Sequence, residues 1–269
     1  VQAYSNWLGL MRGDLEAVFR DAGTVFFEID TGPSAQIQAS VLTQEMGFRS
    51  DGLRLSGELD SYQLKLLDAA ANNAGLPVAT LDNMEPWLAS EFLTVAAAAN
   101  AGLTPELSAD EALKSRADAQ GKNVLYLDTM EGQITRAAKQ PDFVQMKLLS
   151  DTLEGFNTLG ADLTKVAQAW SVGQTDYLTR ELIMEAKNRS PDMYQTFFDD
   201  VNRQWVKPLT RFMEDSGTGF AAIGIGHLLG EDSIQELMRD QGYEVGRYYA
   251  FKGENVISTV PLRDVNGGN

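Results

Sequence analysis

The chain has 269 residues, 43% of them hydrophobic and 22% charged, an ordinary balance for a globular protein. Its 38 acidic and 22 basic residues leave a net charge of −16, and no local basic patch offsets it, which argues against nucleic acid or anionic lipid as a partner. There is no cysteine, so disulfides, thiolate metal sites and a cysteine nucleophile are excluded, and no apolar run reaches the ~20 residues that span a bilayer.

Asp14 to Phe19 reads as the end of an amphipathic helix with Leu15, Val18 and Phe19 on one side. Thr24 to Asp30 (Thr-Val-Phe-Phe-Glu-Ile-Asp) reads as a strand, broken by Thr31-Gly-Pro-Ser. Glu28 alternates with apolar residues near the carboxyl end of that strand. A carboxylate there is costly to bury unless it meets a metal or a cation, and the same pattern suits a solvated residue on an edge strand. Ser34–Met46 and Leu59–Gly75 are helical in pattern, and Glu91–Ala101 is an alanine-rich helix preceded by Pro86 and Trp87, the tryptophan expected in the core. Ser108–Gln120 is a helix with an acidic first turn, Asn123–Asp128 a strand, and Thr129 opens a further helix with Asp128 expected to cap it. Nearly all of 141–215 then reads as helix, in the pieces Phe143–Leu159, Leu163–Trp170, Asp176–Lys187 and Asp192–Met213.

The most informative stretch comes late. Phe220 to Ile225 is an almost wholly apolar run, as expected for a strand buried on both faces. Gly224, Gly226 and Gly230 interrupt it, and the loop carries His227, the only histidine in the chain. Asp232 or Ser233 can cap the next helix, which carries Ile234, Leu237 and Met238 on one stripe. Gly242 stops it, Tyr243–Phe251 reads as a strand, and a last edge strand follows residue 252 before a frayed tail at Asp264–Asn269. In a parallel sheet, a side chain just past the carboxyl end of a strand points into the crevice where ligands bind, and His227 holds that place. Spacing alone serves equally a histidine that merely hydrogen-bonds a loop carbonyl. The glycines fit neither a dinucleotide fingerprint nor a phosphate-binding loop, which argues against a nucleotide site. With one imidazole in the chain, a serine or threonine nucleophile would lack a second candidate base. The order of elements predicts one α/β domain, a mixed sheet with a parallel component flanked by many helices and carrying a large helical insertion.

Gly224-Ile-Gly-His227, followed by Leu-Leu-Gly-Glu-Asp-Ser-Ile-Gln-Glu-Leu-Met and Gln-Gly-Tyr-Glu-Val, resembles the second Gly-x-x-His motif of the TraB/GumN family, which includes the Tiki-type metalloproteases. The likeness covers most of the chain. Val25 to Asp30 resembles the family strand that carries an active-site glutamate, here Glu28. Leu81–Ala89 resembles a helix entry before a Pro-Trp pair. Gly121–Asp128 resembles a Gly-Lys turn and strand end before a glutamine-bearing helix, with Asp128 in place of the usual, longer glutamate. Phe197–Trp205 resembles a segment with an Arg-Asn pair before Trp; Asn202 and Trp205 match, while Val201 stands at the arginine position. The family's first Gly-x-x-His motif has no counterpart and would fall at or before Val1.

The resemblance implies a single TraB/GumN-like domain over 1–269, without the N-terminal strand and first motif. It implies a metal-dependent hydrolase, a peptidase acting on a peptide or protein substrate in the bacterial periplasm or outside the cell. His227 and Glu28 would hold a divalent manganese, cobalt or zinc ion, with Glu28 also catalytic, Gly224 and Gly226 shaping the loop, and Asp30, Asp128 and Asn202 as further candidates. Such metals commonly need three protein ligands, so Asp30 or Asp128 would have to add to the pair. The missing motif and Val201 point instead to a non-catalytic ligand- or peptide-binding or regulatory protein on the same fold.

Overall fold

Three parallel strands, β1 (Thr24–Phe27), β2 (Asn123–Tyr126) and β3 (Gly219–Ala221), lie in the order β2-β1-β3, with Thr24 opposite both Asn123 and Gly219. The computed structural model from which this is read describes residues 14–50, 52–104, 108–215, 217–251 and 254–258. Backbone bonds carry the pairing past the strand ends, from Leu127 N to Phe27 O (2.9 Å), Asp128 N to Glu28 O (2.8 Å) and Ala222 N to Phe26 O (2.8 Å). The apolar run of β1 suits its central place, because successive side chains enter opposite layers. Val25 and Phe27 pack with Phe19, Leu113 and Ala117, whereas Phe26 packs with Val201, Trp205, Val206 and Leu209.

Those layers are helical. On one side are α1 (Asp14–Asp21) and, much later, α6 (Ala109–Ala119). Between β1 and α6 come α2 (Pro33–Gly47), α3 (Ser61–Ala74), α4 (Val78–Leu81) and α5 (Pro86–Asn100). After β2 come α7 (Met130–Ala138), α8 (Asp142–Ser171), α9 (Thr175–Leu178), α10 (Glu185–Arg189), α11 (Pro191–Tyr194) and α12 (Asp200–Glu214). The helix α13 (Ile234–Asp240) follows the histidine loop and packs on α12 beside the Phe26 face.

The expected helices at 143–159 and 163–170 are one 30-residue helix, α8. Gly160, which interrupts the apolar pattern, is helical and lies where a side-chain carbon would come within 2.9 Å of the Ala97 carbonyl, so it lets α8 close on alanine-rich α5. Ser90 and Thr152 hydrogen-bond across that contact at 2.6 Å, within a core that includes Leu67, Leu81, Met84, Trp87, Leu93, Leu149 and Leu153. Val18 leaves the stripe assigned to it: it is 45% exposed, whereas Phe19 is wholly buried. The helical stretches around 180 and 197 also differ from expectation, because α9–α10 and α11–α12 are each joined through a π-helical turn, Thr179–Met184 and Gln195–Asp199.

The strand expected over Phe220–Ile225 stops at Ala221, and Ile225–Leu228 is a turn of 3-10 helix. Gly224 N is drawn to the Glu28 carboxylate there, which takes the backbone out of the ladder. The late strands β4 (Arg247–Phe251) and β5 (Glu254–Ser258) pair antiparallel as a separate two-stranded sheet and do not edge the main one. Positions near Val1 and the tail at Asp264–Asn269 lie outside the described residues. Among the described residues, no helix is long and apolar enough to cross a membrane.

Candidate functional site

The carboxyl ends of β1 and β3 share one edge of the sheet, and Glu28 and His227 meet there. A side-chain carbon on Gly224 would lie 2.7 Å from Glu28 Oε1 and 3.9 Å from His227 Cδ2, so the glycine fills the gap between the two groups. Its N–H donates to Glu28 Oε1. Burial pushes the Glu28 carboxyl above its ordinary value, against the pull of the Gly224 N–H.

His227 is oriented from behind. Asn202 Nδ2 donates to the Asp232 carbonyl at 2.7 Å, so the amide turns its Oδ1 to His227 Nδ1, also at 2.7 Å. An amide oxygen accepts only; Nδ1 therefore carries the proton and Nε2 the lone pair. Trp205 lies against the imidazole with ring centroids 4.4 Å apart, and Phe198 at 5.4 Å. Burial first, and the nearby Arg136 guanidinium second, lower its pKa from 6.5 to about 4. At neutral pH the ring is uncharged. Gly226 is required on the same wall, since a side-chain carbon there would fall 2.6 Å from Phe198 Cε1.

The loop behind this pair is fixed by charge. Lys187 Nζ bonds Asp232 Oδ2 at 2.8 Å and Glu231 Oε1 at 2.7 Å, while Tyr194 Oη donates to Asp232 at 3.1 Å. Burial alone would raise the Asp232 carboxyl, but the bonds from Lys187 and Tyr194 hold it below the usual range. Ser233 is the N-cap of α13, as one of the two expected candidates, although its side chain makes no capping bond.

Asp30 and Asp128 are engaged elsewhere. Asp30 Oδ1 accepts from Gly32 N at 2.9 Å, closing the turn after β1. Asp128 is buried and salt-bridged to Arg136, and its other oxygen takes the Thr129 N–H at 2.7 Å. The cap of α7 is Thr129, whose hydroxyl accepts from Gly132 N at 2.9 Å, not Asp128 as the sequence suggested. Among the described residues, no group of three or more His, Cys, Asp or Glu side chains is gathered closely enough for a metal ion. A neutral imidazole with its lone pair on Nε2 and a nearby carboxylate are suitable donors in kind. They are two, one short of the three protein ligands usual at a hydrolytic centre.

His227 and Glu28 open onto adjoining spaces. His227 lines a cavity of about 560 Å³ with Trp87, Phe92, Arg136, Phe198 and Trp205, and Val201 is on the same wall. Glu28 lines one of about 300 Å³ with Asp110, Glu111 and Lys114. Gln133 of α7 borders both. Reasoning from sequence alone missed Gln133 and Arg136 as site residues. They sit three residues apart on one face of the helix that leaves β2, and that helix begins at the same sheet edge, which is the signal that would have found them.

No curated protein and no solved structure matches the chain. A family model does match, over residues 8–247, nearly the full length, and by that match the chain belongs to the TraB/PrgY/gumN family.

Proposed function

We propose that the protein is a metal-dependent hydrolase, a peptidase of the Tiki-like kind, acting at the crevice between His227 and Glu28. One observation carries this reading: Asn202, itself pinned by the Asp232 carbonyl, fixes the lone pair of an uncharged His227 on Nε2. Orienting an imidazole through its second nitrogen is what metal ligation asks of the residues behind it. In this reading His227 and Glu28 bind a divalent manganese, cobalt or zinc ion, and a bound metal would acidify a water for attack on a carbonyl. Glu28 Oε1 is held by the Gly224 N–H, so Oε2 is the oxygen that would be offered to the ion and its water. Gln133 borders both cavities and orients the substrate amide between them. The setting is the bacterial periplasm or the extracellular space, the substrate a peptide or protein, and the working unit a single domain.

The test is thermal melting with and without manganese, cobalt or zinc, together with a peptide-cleavage assay. A ligand that binds only the folded state raises its stability, so a cation should raise the melting temperature of the native protein and leave His227→Ala unchanged. No metal-dependent shift and no cleavage would overturn the hydrolase.

A second reading is favoured by a specific observation. Asp128 is salt-bridged to Arg136 and Asp30 is turned onto Gly32, so neither completes a donor set. In that case the same crevice captures a peptide or small ligand without cleaving it, as a binding or regulatory protein.

A further inference from the structure

The cavity beside His227 carries five aromatic rings among aliphatic side chains such as Leu88 and Ile134: Trp87 and Phe92 of α5, Phe197 and Phe198 of the second π-helical turn, and Trp205 of α12. Its volume of about 560 Å³ is in the range of pockets that enclose a small ligand.

The electrical balance selects the kind of ligand. Arg136 is salt-bridged to the buried Asp128, so the pair presents no net positive charge, and Glu91 adds a carboxyl group to the same wall. A carboxylate entering here would meet no countercharge, whereas an uncharged side chain needs none.

We propose that this cavity is a subsite for a bulky apolar side chain, aromatic or large aliphatic, of a peptide. The inference rests on the crevice at His227 being where the peptide enters, and it names the residue type selected there. Aromatic rings stack with a bound ring in offset or edge-on contact, which a methyl side chain cannot use.

The experiment follows quenching of the chain's tryptophan fluorescence, to which Trp87 and Trp205 on the cavity wall contribute, in the presence of a chelator. The probes are acetyl-Ala-Phe-Ala-amide, acetyl-Ala-Ala-Ala-amide and the free acid acetyl-Ala-Phe. We expect the phenylalanine amide to bind at least tenfold tighter than the alanine amide and no more weakly than the free acid. Ala39→Phe, which adds a ring at the rim of the cavity, should weaken the phenylalanine amide at least tenfold while the protein remains folded by circular dichroism. Equal affinity for the two amides, or tighter binding of the free acid, would overturn the proposal. Because every arm is metal-free, loss of the hydrolase reading through an absent metal shift would leave these outcomes intact.

Discussion

The hydrogen bond between His227 Nδ1 and Asn202 Oδ1, 2.7 Å long, has its direction set from the far side of the amide, where Nδ2 is committed to the Asp232 carbonyl. Since His227 is the only imidazole in the chain, its titration can be read from a single set of NMR signals. We expect a midpoint near 4 and no titration around neutral pH. Asn202→Asp would set a carboxylate against Nδ1–H and raise that midpoint by about 1–3 units. A midpoint near 6.5 in the native protein would contradict the buried, uncharged ring.

The same depression bears on stability. A histidine whose folded value lies below its unfolded value binds the proton more readily in the unfolded chain. Its contribution is therefore complete above pH 6.5 and is lost as the pH falls toward about 4. The full loss is up to about 3 kcal/mol. Glu28 acts in the opposite sense: its raised value penalises the charged form at neutral pH and relaxes as it takes a proton. Urea melts of the native protein and His227→Gln between pH 7 and 4 should show the stability gap between them shrinking with acid. A constant gap would assign the acid limb to other groups.

Trp205 and Trp87 are 1% and 4% exposed, and each is expected to cost about 3–5 kcal/mol when replaced by alanine. Trp87 also donates Nε1 to the Met46 carbonyl at 3.3 Å, tying α5 to α2. Denaturant titration of the two variants measures this directly; a loss near zero for either would mark it as a ligand-contact residue without a packing role.

The two loop glycines should behave differently. Gly224→Ala presses on Glu28 Oε1, the end of a side chain, so the fold should lose little while cleavage or ligand binding falls. Gly226→Ala presses on the Phe198 ring, itself packed on Tyr194 and His227, and should cost about 1–3 kcal/mol. Melting both variants beside the parent checks the ordering.

Much of this arrangement was legible from local pattern. The Thr24–Asp30 run announced a strand, and the glycine loop announced a histidine just past a strand end. Gly160 misled because a helical glycine packed on another helix carries the same letter as one that ends a helix. The salt bridge of Asp128 with Arg136 was hidden because an aspartate before Thr129 suits a cap equally well, and only the third dimension shows the guanidinium returning to it. The cavity was invisible for a similar reason: its rings come from α5, the second π-helical turn and α12, each of which reads on its own as ordinary core.

The Gly224–Glu28 hydrogen bond joins positions 196 residues apart in sequence. As the chain leaves the ribosome, Val25, Phe26 and Phe27 emerge early and must wait for β3 before the sheet can close. The core shared by α3, α5 and α8 uses partners much nearer in sequence and can assemble in the meantime. Folding should therefore pass through a state with a formed helical core, β1 paired with β2 on one side only, and no site at all. In that interval the strand's exposed edge makes the nascent protein a client for chaperones and vulnerable to self-association.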